Sequence, residues 1–167
     1  MRVEALRHVR IASVSAGVSH TLAVVVAGEL YAWGEGDFGK LGLDDMNGRT
    51  TPQLVTACQK VLDGPMHAMP PVRQACAAEE HSLVLTEAGE VYTMGSRWEP
   101  HTIVPTLVEA LAALTVVEVA VGDDYSLART DDGKIFSWGC CTVMGNLGHG
   151  NSENQPEPKQ IMSDVLV

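Results

Sequence analysis

The sequence is poor in aromatic residues, in positive charge and in long apolar runs. Aromatic residues make up 5% of its 167 residues, and 11 Lys and Arg stand against 21 Asp and Glu. The longest apolar candidates, around 22–26 and 111–117, fall well short of the roughly 18 uncharged residues that a membrane-spanning helix needs. We therefore expect no membrane span.

The charge balance argues against nucleic acid as a direct partner. The formal net charge is −10, whereas a protein that binds a duplex normally presents a basic face that displaces counterions. Hydrophobic residues nevertheless amount to 46%, which excludes a wholly disordered acidic chain. The length suits one domain with a real core, and 16 glycines indicate many turns.

Neither the amino terminus nor the cysteines indicate secretion or metal binding. Residues 1–10 contain three Arg and one His but no apolar segment follows, so we interpret them as the lead into a first strand rather than as a targeting segment. The four cysteines form no C-x-x-C pair and have no histidine at zinc-finger spacing. We expect free thiols in an intracellular protein of unknown compartment, with neither metal nor cofactor.

The informative feature is an internal repeat. Three segments of 21 residues, Val14–Gly34, Ala75–Gly95 and Val119–Gly139, align without gaps, as expected for an architecture of stacked units. The equivalent positions are His20, His81 and Tyr125; Gly28, Gly89 and Gly133; Trp33, Met94 and Trp138; and Gly34, Gly95 and Gly139.

Each copy predicts a β-hairpin. An apolar or alternating run such as HTLAVVV leads to Ala27-Gly28, Ala88-Gly89 or Asp132-Gly133, and an alternating return strand follows. Glycine at the second turn position tolerates positive φ, so we expect two-residue type I′ turns.

A recurring proline divides the chain further. Pro52, Pro105 and Pro158 are each followed three residues later by Val or Ile, which predicts the start of an edge strand. The resulting segments are a lead-in (1–10), repeat 1 (11–55), an inserted connection (56–71), repeat 2 with a shortened loop (72–108), repeat 3 (109–161) and a tail (162–167).

The repeats resemble those of the regulator of chromosome condensation repeat family. The pattern stands here as VSAGVSHTLAVVVAGELYAWGEGDFGKLGL and VAVGDDYSLARTDDGKIFSWGCCTVMGNLGHG, whereas copy two has SRWEPHTIVP in place of the second half. The resemblance covers nearly the whole chain. It implies an all-β fold, a partial β-propeller of about three blades of four antiparallel strands, forming an arc of the seven-bladed type.

Three blades do not close a seven-bladed ring, and an open arc leaves two apolar faces. The alternatives are a piece of a longer propeller, faces that a partner protein completes or caps, or a segment of a larger chain whose remainder is not seen. A free monomeric arc is the alternative we favour least, because exposed faces drive association.

The repeat assigns structural roles to the residues that otherwise suggest chemistry. His20 and His81 have Tyr125 as their third equivalent, which does not suit catalysis, so we expect a ring N–H or O–H bonded to a backbone carbonyl. The G-x-G-x-x-G string at 34–39 precedes no helical pattern and does not predict a dinucleotide site. Trp33, Trp138 and the repeated glycines are expected to be structural, and no catalytic residue is predicted.

Two loops are the candidates for partner contact. One contains Asp37, Phe38 and Lys40, and the altered copy-two loop contains Arg97 and Trp98, residue types common at interfaces. The alternative for Trp98 is that it folds back over the shortened blade edge. Acidic pairs in the turns are expected to give the blade rims a negative charge that suits a basic partner surface.

These features favour a non-enzymatic protein–protein interaction scaffold or a subunit of a larger assembly. The alternative that the resemblance allows is a guanine nucleotide exchange factor for a Ran-type small GTPase associated with chromatin. The family also includes a plant ultraviolet-B photoreceptor that uses a tryptophan cluster, but this chain has three Trp and no G-W-R-H-T string. Fold alone does not decide between these functions.

Overall fold

The computed structural model describes residues 3–96, 101–141 and 145–162 and has three mainly antiparallel sheets arranged as an open arc. The expected all-β partial propeller is confirmed. Blade 1 has four strands in the order β1-β2-β3-β4. Their bounds are Ile11–Ala16, His20–Val25, Leu30–Gly34 and Arg49–Val55.

Blade 2 contains six strands because the inserted connection forms a hairpin of its own. The hairpin strands are β5 (Ala57–Gln59) and β6 (Met66–Ala68), followed by β7 (Val72–Ala77), β8 (Ser82–Thr86), β9 (Val91–Met94) and β10 (Thr106–Leu107). The order is β6-β5-β10-β9-β8-β7, and β5 pairs with β10 in parallel. The inserted segment therefore widens blade 2 outward.

Polar contacts fasten this hairpin to blade 2. Lys60 forms an ion pair with Glu90, and its ammonium lies 5.4 Å from the centre of the Tyr92 ring. Tyr92 donates a hydrogen bond to Glu90 at 3.0 Å, and burial raises its pKa to about 12. The Tyr92 phenol is therefore neutral at physiological pH.

Blade 3 repeats the simple pattern, with β11-β12-β13-β14 in order. Its strands are Val116–Val121, Tyr125–Thr130, Ile135–Gly139 and Gln155–Gln160. All three blades carry a register shift at the same place in the first strand pair, beginning at Ile11, Val72 and Val116. Such a bulge increases local twist, so its repetition gives the three blades the same curvature.

The hairpin turns differ from the predicted type I′. In the first, Gly28 N–H donates to the Val25 carbonyl at 2.8 Å, and Val25 N–H donates to the Glu29 carbonyl at 3.0 Å. Gly28 has φ +83°, whereas Ala27 is not among the residues with positive φ. A type I′ turn needs positive φ at both central residues, so this is a tight turn closed by one left-handed glycine.

Two of the three recurring prolines lie inside their outer strands rather than at the strand starts. Pro52 falls within β4 and Pro158 within β14, while Pro105 precedes β10. β4 and β14 are the outer edges of their sheets, where a missing N–H removes no ladder hydrogen bond.

Two apolar clusters hold the arc together, each at a junction between blades. The first joins blades 1 and 2 around Leu22, Leu30, Val84 and Tyr92. The second joins blades 2 and 3 around Leu83, Leu85, Val119 and Trp138. The core therefore lies between the sheets, so each blade depends on its neighbour for burial. Within the described segments, no helix is long and apolar enough to cross a membrane.

Candidate interaction surfaces and the junctions between blades

The end of blade 1 exposes side chains that the other blades bury. Val14 is 70% exposed, whereas its repeat equivalents Ala75 and Val119 are 8% and 2% exposed. The reason is that β7 packs against β1 and β2, and β11 packs against β7 and β8. No described residue packs in this way on the outer face of β1. We call this surface, which includes Ile11 and Val14, the blade 1 face.

The opposite end of the arc has a matching exposed surface. Ile135 on β13 is 43% exposed, whereas its equivalents Leu30 and Val91 are each 1% exposed. Leu127 on β12 is likewise only half-buried. We call this surface, containing Leu127 and Ile135, the blade 3 face. The two faces are the places where the repeat pattern supplies apolar side chains without a neighbouring blade to cover them.

Lys40 occupies the interior of the first junction. Its side chain is 2% exposed, and its ammonium donates to Ser19 Oγ at 2.9 Å, Glu35 Oε2 at 2.7 Å and the Glu79 carbonyl at 3.4 Å. The hydrogen bonds from Lys40, and then that from Ser19, lower the pKa of Glu35. A buried cation needs such partners, since removal from water without them is costly.

This placement differs from the prediction of Lys40 as a surface contact. The loop Gly39–Gly42 crosses from blade 1 onto blade 2, and a Cβ added to Gly95 would lie 2.8 Å from the Lys40 Cα. Leu41 is fully buried beside Lys40. The side chain of Lys40 therefore joins two blades and is not presented to a partner.

The remaining candidates for partner contact differ in their exposure to solvent. Asp37 is exposed, and Phe38 is half-buried with its ring centroid 5.6 Å from that of His101. Phe38 also has φ 61°, an uncommon conformation for an aromatic residue. Arg97 and Trp98 lie outside the described residues. A contact role for this pair of loops stays a prediction.

His20 and His81 each connect one blade to the next. His20 Nε2 lies 2.7 Å from Ser82 Oγ, and His81 Nε2 lies 2.9 Å from Ser126 Oγ. The predicted partner was a backbone carbonyl; the observed partner is a serine hydroxyl. A sequence signal for these partners exists, because Ser82 and Ser126 occupy one repeat position, directly after His81 and Tyr125.

Both rings are neutral at physiological pH. Burial lowers the pKa of each histidine to about 4. Ser82 donates its proton to the Lys40 carbonyl at 2.9 Å, so its oxygen accepts from His20 Nε2–H. That leaves His20 Nδ1 without a proton, and no described group bonds to it. Each histidine therefore forms a hydrogen bond between its own blade and the next one.

The third equivalent, Tyr125, packs within its own blade. A Cβ added to Gly122 would lie 2.0 Å from Cε1 of the Tyr125 ring. The ring therefore covers the turn that precedes β12. Trp138 is almost fully buried in the second apolar cluster, and Trp33 is half-buried on β3.

The described residues contain no metal-binding cluster of three or more His, Cys, Asp or Glu. The four cysteines are free thiols, and burial raises the pKa of Cys58 and Cys76. Raised pKa values disfavour the thiolate, which is the reactive form.

Family models match most of the repeated sequence. One model, described as the regulator of chromosome condensation (RCC1) repeat, matches residues 27–85 and 132–165. A second RCC1 repeat model matches residues 11–40 and 116–140.

Two longer proteins are similar in sequence to nearly the whole chain. The chain is 31% identical over 164 residues to the E3 ubiquitin-protein ligase HERC2 of Homo sapiens, covering 95% of this chain and 3% of that protein. It is 33% identical over 169 residues to the ultraviolet-B receptor UVR8 of Arabidopsis thaliana, covering 96% of this chain and 36% of that protein. The chain thus spans about a third or less of these relatives.

Solved structures share the fold. Prp20p from Saccharomyces cerevisiae, reported with its binding properties to Gsp1p and histones, has a TM-score of 0.75 at 22% identity, covering 93% of this chain and 39% of that one. Human WBSCR16 has a TM-score of 0.52 at 19% identity, covering 94% and 54%. With the repeats, the blades and the family models in agreement, the chain belongs to the regulator of chromosome condensation (RCC1) repeat family.

Proposed function

We propose that this chain is a non-catalytic protein-interaction module that works as a scaffold or as part of a larger assembly. The observation that carries the proposal is the contrast between Val14 at 70% exposure and its equivalents Ala75 and Val119 at 8% and 2%. A position that is buried at both internal junctions and exposed at the end of the arc is a surface suited to a further blade or a protein partner.

The chemistry of the described residues supports a binding role over catalysis. The repeated histidines are neutral and bonded to serines between blades. The net charge of −10 favours basic partner surfaces through electrostatic complementarity. The free thiols favour action inside the cell, where disulfides are rare.

The mass of the purified chain tests the proposal. We expect light scattering to show association above 17.8 kDa, rising with concentration, because the blade 1 face and the blade 3 face are uncovered. Val14→Asp on the blade 1 face should return the chain toward the monomer mass. Leu54→Asp is the matched control, since Leu54 is an exposed residue on the outer strand β4. A wild-type chain that stays monomeric at high concentration would show that uncovered faces do not drive association.

The second candidate is guanine nucleotide exchange on a Ran-type small GTPase. The observation in its favour is the fold shared with Prp20p, whose structure was reported with binding to Gsp1p. Release of a fluorescent guanine nucleotide from such a GTPase separates the two functions. Acceleration by catalytic amounts of this chain contradicts the non-catalytic proposal, and an unchanged release rate supports it.

A further inference from the structure

The segment before β1 repeats the segment that leads into β11. Both begin with the sequence Val-Glu-Ala-Leu. Both then form one turn of 3-10 helix, at Glu4–Leu6 and at Glu109–Leu111, and both continue into the first strand of a blade. The segment before β11 packs against blade 2, so the segment before β1 has the form of one that packs against a neighbouring blade.

The two segments differ in what covers them. In the apolar cluster between blades 2 and 3, Leu111, Val116 and Val119 are at most 2% exposed. Their repeat equivalents are Leu6, Ile11 and Val14. The first of these is half-buried, and the two on the blade 1 face are exposed. The blade 1 face is therefore a complete packing surface whose neighbour is absent from the described residues.

A turn on blade 3 lacks the matching contact. At each junction the turn glycine of one blade accepts a hydrogen bond from the first strand of the next. Val72 N–H donates to the Gly28 carbonyl at 2.8 Å, and Val116 N–H donates to the Gly89 carbonyl at 3.2 Å. The equivalent glycine of blade 3 is Gly133, and a Cβ added there would have nothing within 4 Å. The two ends of the arc are thus the two halves of one more junction.

The repeat also places an arginine of the blade 1 end at such a turn. Arg10 is the equivalent of Pro71 and Thr115. A Cβ added to Gly28 would lie 2.9 Å from the Pro71 Cβ, and one added to Gly89 would lie 3.2 Å from the Thr115 Cγ2. Position 10 therefore meets the turn glycine of a blade packed on the blade 1 face. The Arg10 side chain is exposed, and its guanidinium has no hydrogen bond or ion pair with residues 3–96, 101–141 or 145–162.

The turn of blade 3 carries the opposite charge. Of the three equivalent turns, it alone has two acidic residues before its glycine, Asp131 and Asp132. Asp132 accepts hydrogen bonds from Thr130 and from Lys134 of its own turn. The exposed Asp131 carboxylate has no such partner within the described ranges. This turn therefore suits an incoming arginine, whereas two blade 1 faces packed together would place both basic lead-in segments in one interface.

We propose that two copies of this chain associate head to tail, with the blade 3 face of one copy packed on the blade 1 face of the other. In this arrangement Ile11 N–H donates to the Gly133 carbonyl of the second copy, as at both internal junctions. Arg10 pairs with Asp131, and Val14 packs against the blade 3 face. The contact uses a different surface on each copy, which makes it heterologous. The inference rests on the proposed interaction function and names one partner for it.

Two variants, each blocked on one face, test the direction of packing. Val14→Asp blocks the blade 1 face and Ile135→Asp blocks the blade 3 face. Both positions are exposed, so we expect the fold to persist, which circular dichroism and thermal unfolding check. In light scattering each variant alone should keep the monomer mass. An equimolar mixture should form a dimer of twice the 17.8 kDa chain mass, because each variant retains the face that the other lacks.

The control mixes Val14→Asp with a chain that carries both substitutions, and this mixture should stay monomeric. Association of Ile135→Asp by itself would show that two blade 1 faces pack together and would overturn the inference. A monomeric equimolar mixture, with a wild-type chain that associates, would also overturn it and leave the proposed function standing. A wild-type chain that stays monomeric would contradict both.

Exchange of the two charges tests the register without an apolar substitution. Arg10→Glu and Asp131→Arg should each weaken association of the wild-type faces about two- to fivefold, and the double variant should recover most of the loss. Lys159→Glu is the control, because it makes the same change of charge as Arg10→Glu on the exposed side of the outer strand β14. Additive losses in the double variant, or equal losses for Arg10→Glu and Lys159→Glu, would overturn the pairing and with it the head-to-tail arrangement.

Discussion

Two equivalent turn glycines allow the energetic cost of crowding at a contact between blades to be measured separately from the cost of backbone strain. Gly28 and Gly133 are repeat equivalents with φ +83° and +84°. Alanine at either position must adopt the left-handed region, which costs about 1–2 kcal/mol for a residue with a Cβ. Gly133 has nothing within 4 Å of an added Cβ, whereas at Gly28 the Cβ would lie 2.9 Å from the Pro71 Cβ.

Gly28→Ala therefore carries a second cost that Gly133→Ala lacks. The new methyl group would push apart the turn of blade 1 and the start of β7, where Val72 N–H donates to the Gly28 carbonyl at 2.8 Å. Overpacking of this kind costs about 1–3 kcal/mol. We expect Gly133→Ala to lower the free energy of unfolding by about 1–2 kcal/mol and Gly28→Ala to lower it by about 2–5 kcal/mol.

Urea unfolding followed by circular dichroism measures both variants against the wild type. At this chain length, about 1 kcal/mol corresponds to roughly 2–4 °C in Tm, so thermal unfolding provides a second readout. Equal losses in the two variants would refute the reasoning, because the backbone strain is shared and only the junction differs. A larger loss for Gly133→Ala would contradict it outright.

Three further predictions concern the junctions and the core. Between pH 6.5 and 4, histidines of the unfolded chain bind protons, whereas buried His20 and His81 stay neutral because their pKa values are about 4. The free energy of unfolding should therefore decrease as the pH is lowered, by up to about 1.4 kcal/mol per pH unit for each histidine. His81→Gln should reduce this pH dependence in urea titrations, and an unchanged dependence contradicts the prediction. Ser82→Ala should cost about 1 kcal/mol more than Ser126→Ala in urea unfolding, because Ser82 makes one additional hydrogen bond; equal costs would count against it. Cys58 should react with a thiol reagent only after unfolding, since it is buried and its pKa is raised. Peptide mapping distinguishes it from the three partly buried cysteines, and rapid labelling of Cys58 itself in the native chain would exclude this.

The repeat and its strands were accessible to sequence reasoning. The runs around Leu22, Leu83 and Leu127 and the glycines that follow them depend on local conformational preference and on alternation between faces. The structure places β2, β8 and β12 on these runs. The predicted all-β arc is confirmed for that reason.

The β5–β6 hairpin was not predicted. Its strands have three residues each, and the periodicity of so short a segment does not distinguish a strand from a loop. The hairpin exists because β5 pairs in parallel with β10, nearly fifty residues later in the chain, and because Lys60 pairs with Glu90. Neither contact has a local signal.

Lys40 is the clearest case in which tertiary structure reversed an expectation. A lysine in a glycine-rich loop is normally exposed, so the sequence favoured partner contact. Ser19 and Glu35 of blade 1 bind its ammonium, and the Glu79 carbonyl of blade 2 joins them once the two blades pack together and bury the side chain. The turn type was missed for a related reason, since glycine alone does not say whether its neighbour also takes positive φ.

By itself, the sequence determined the repeat, the hairpins and the family, because these follow from short-range patterns that recur in three copies. Only the tertiary structure decided which of these equivalent residues are covered. Val14, Ala75 and Val119 occupy one repeat position, yet exposure differs because it depends on the neighbouring blade. Likewise, Ser82 bonds to His20 and Ser126 bonds to His81, but among the described residues Ser82 alone also donates to a loop carbonyl, that of Lys40. Burial and hydrogen bonding between blades are non-local, and so is any function built on them.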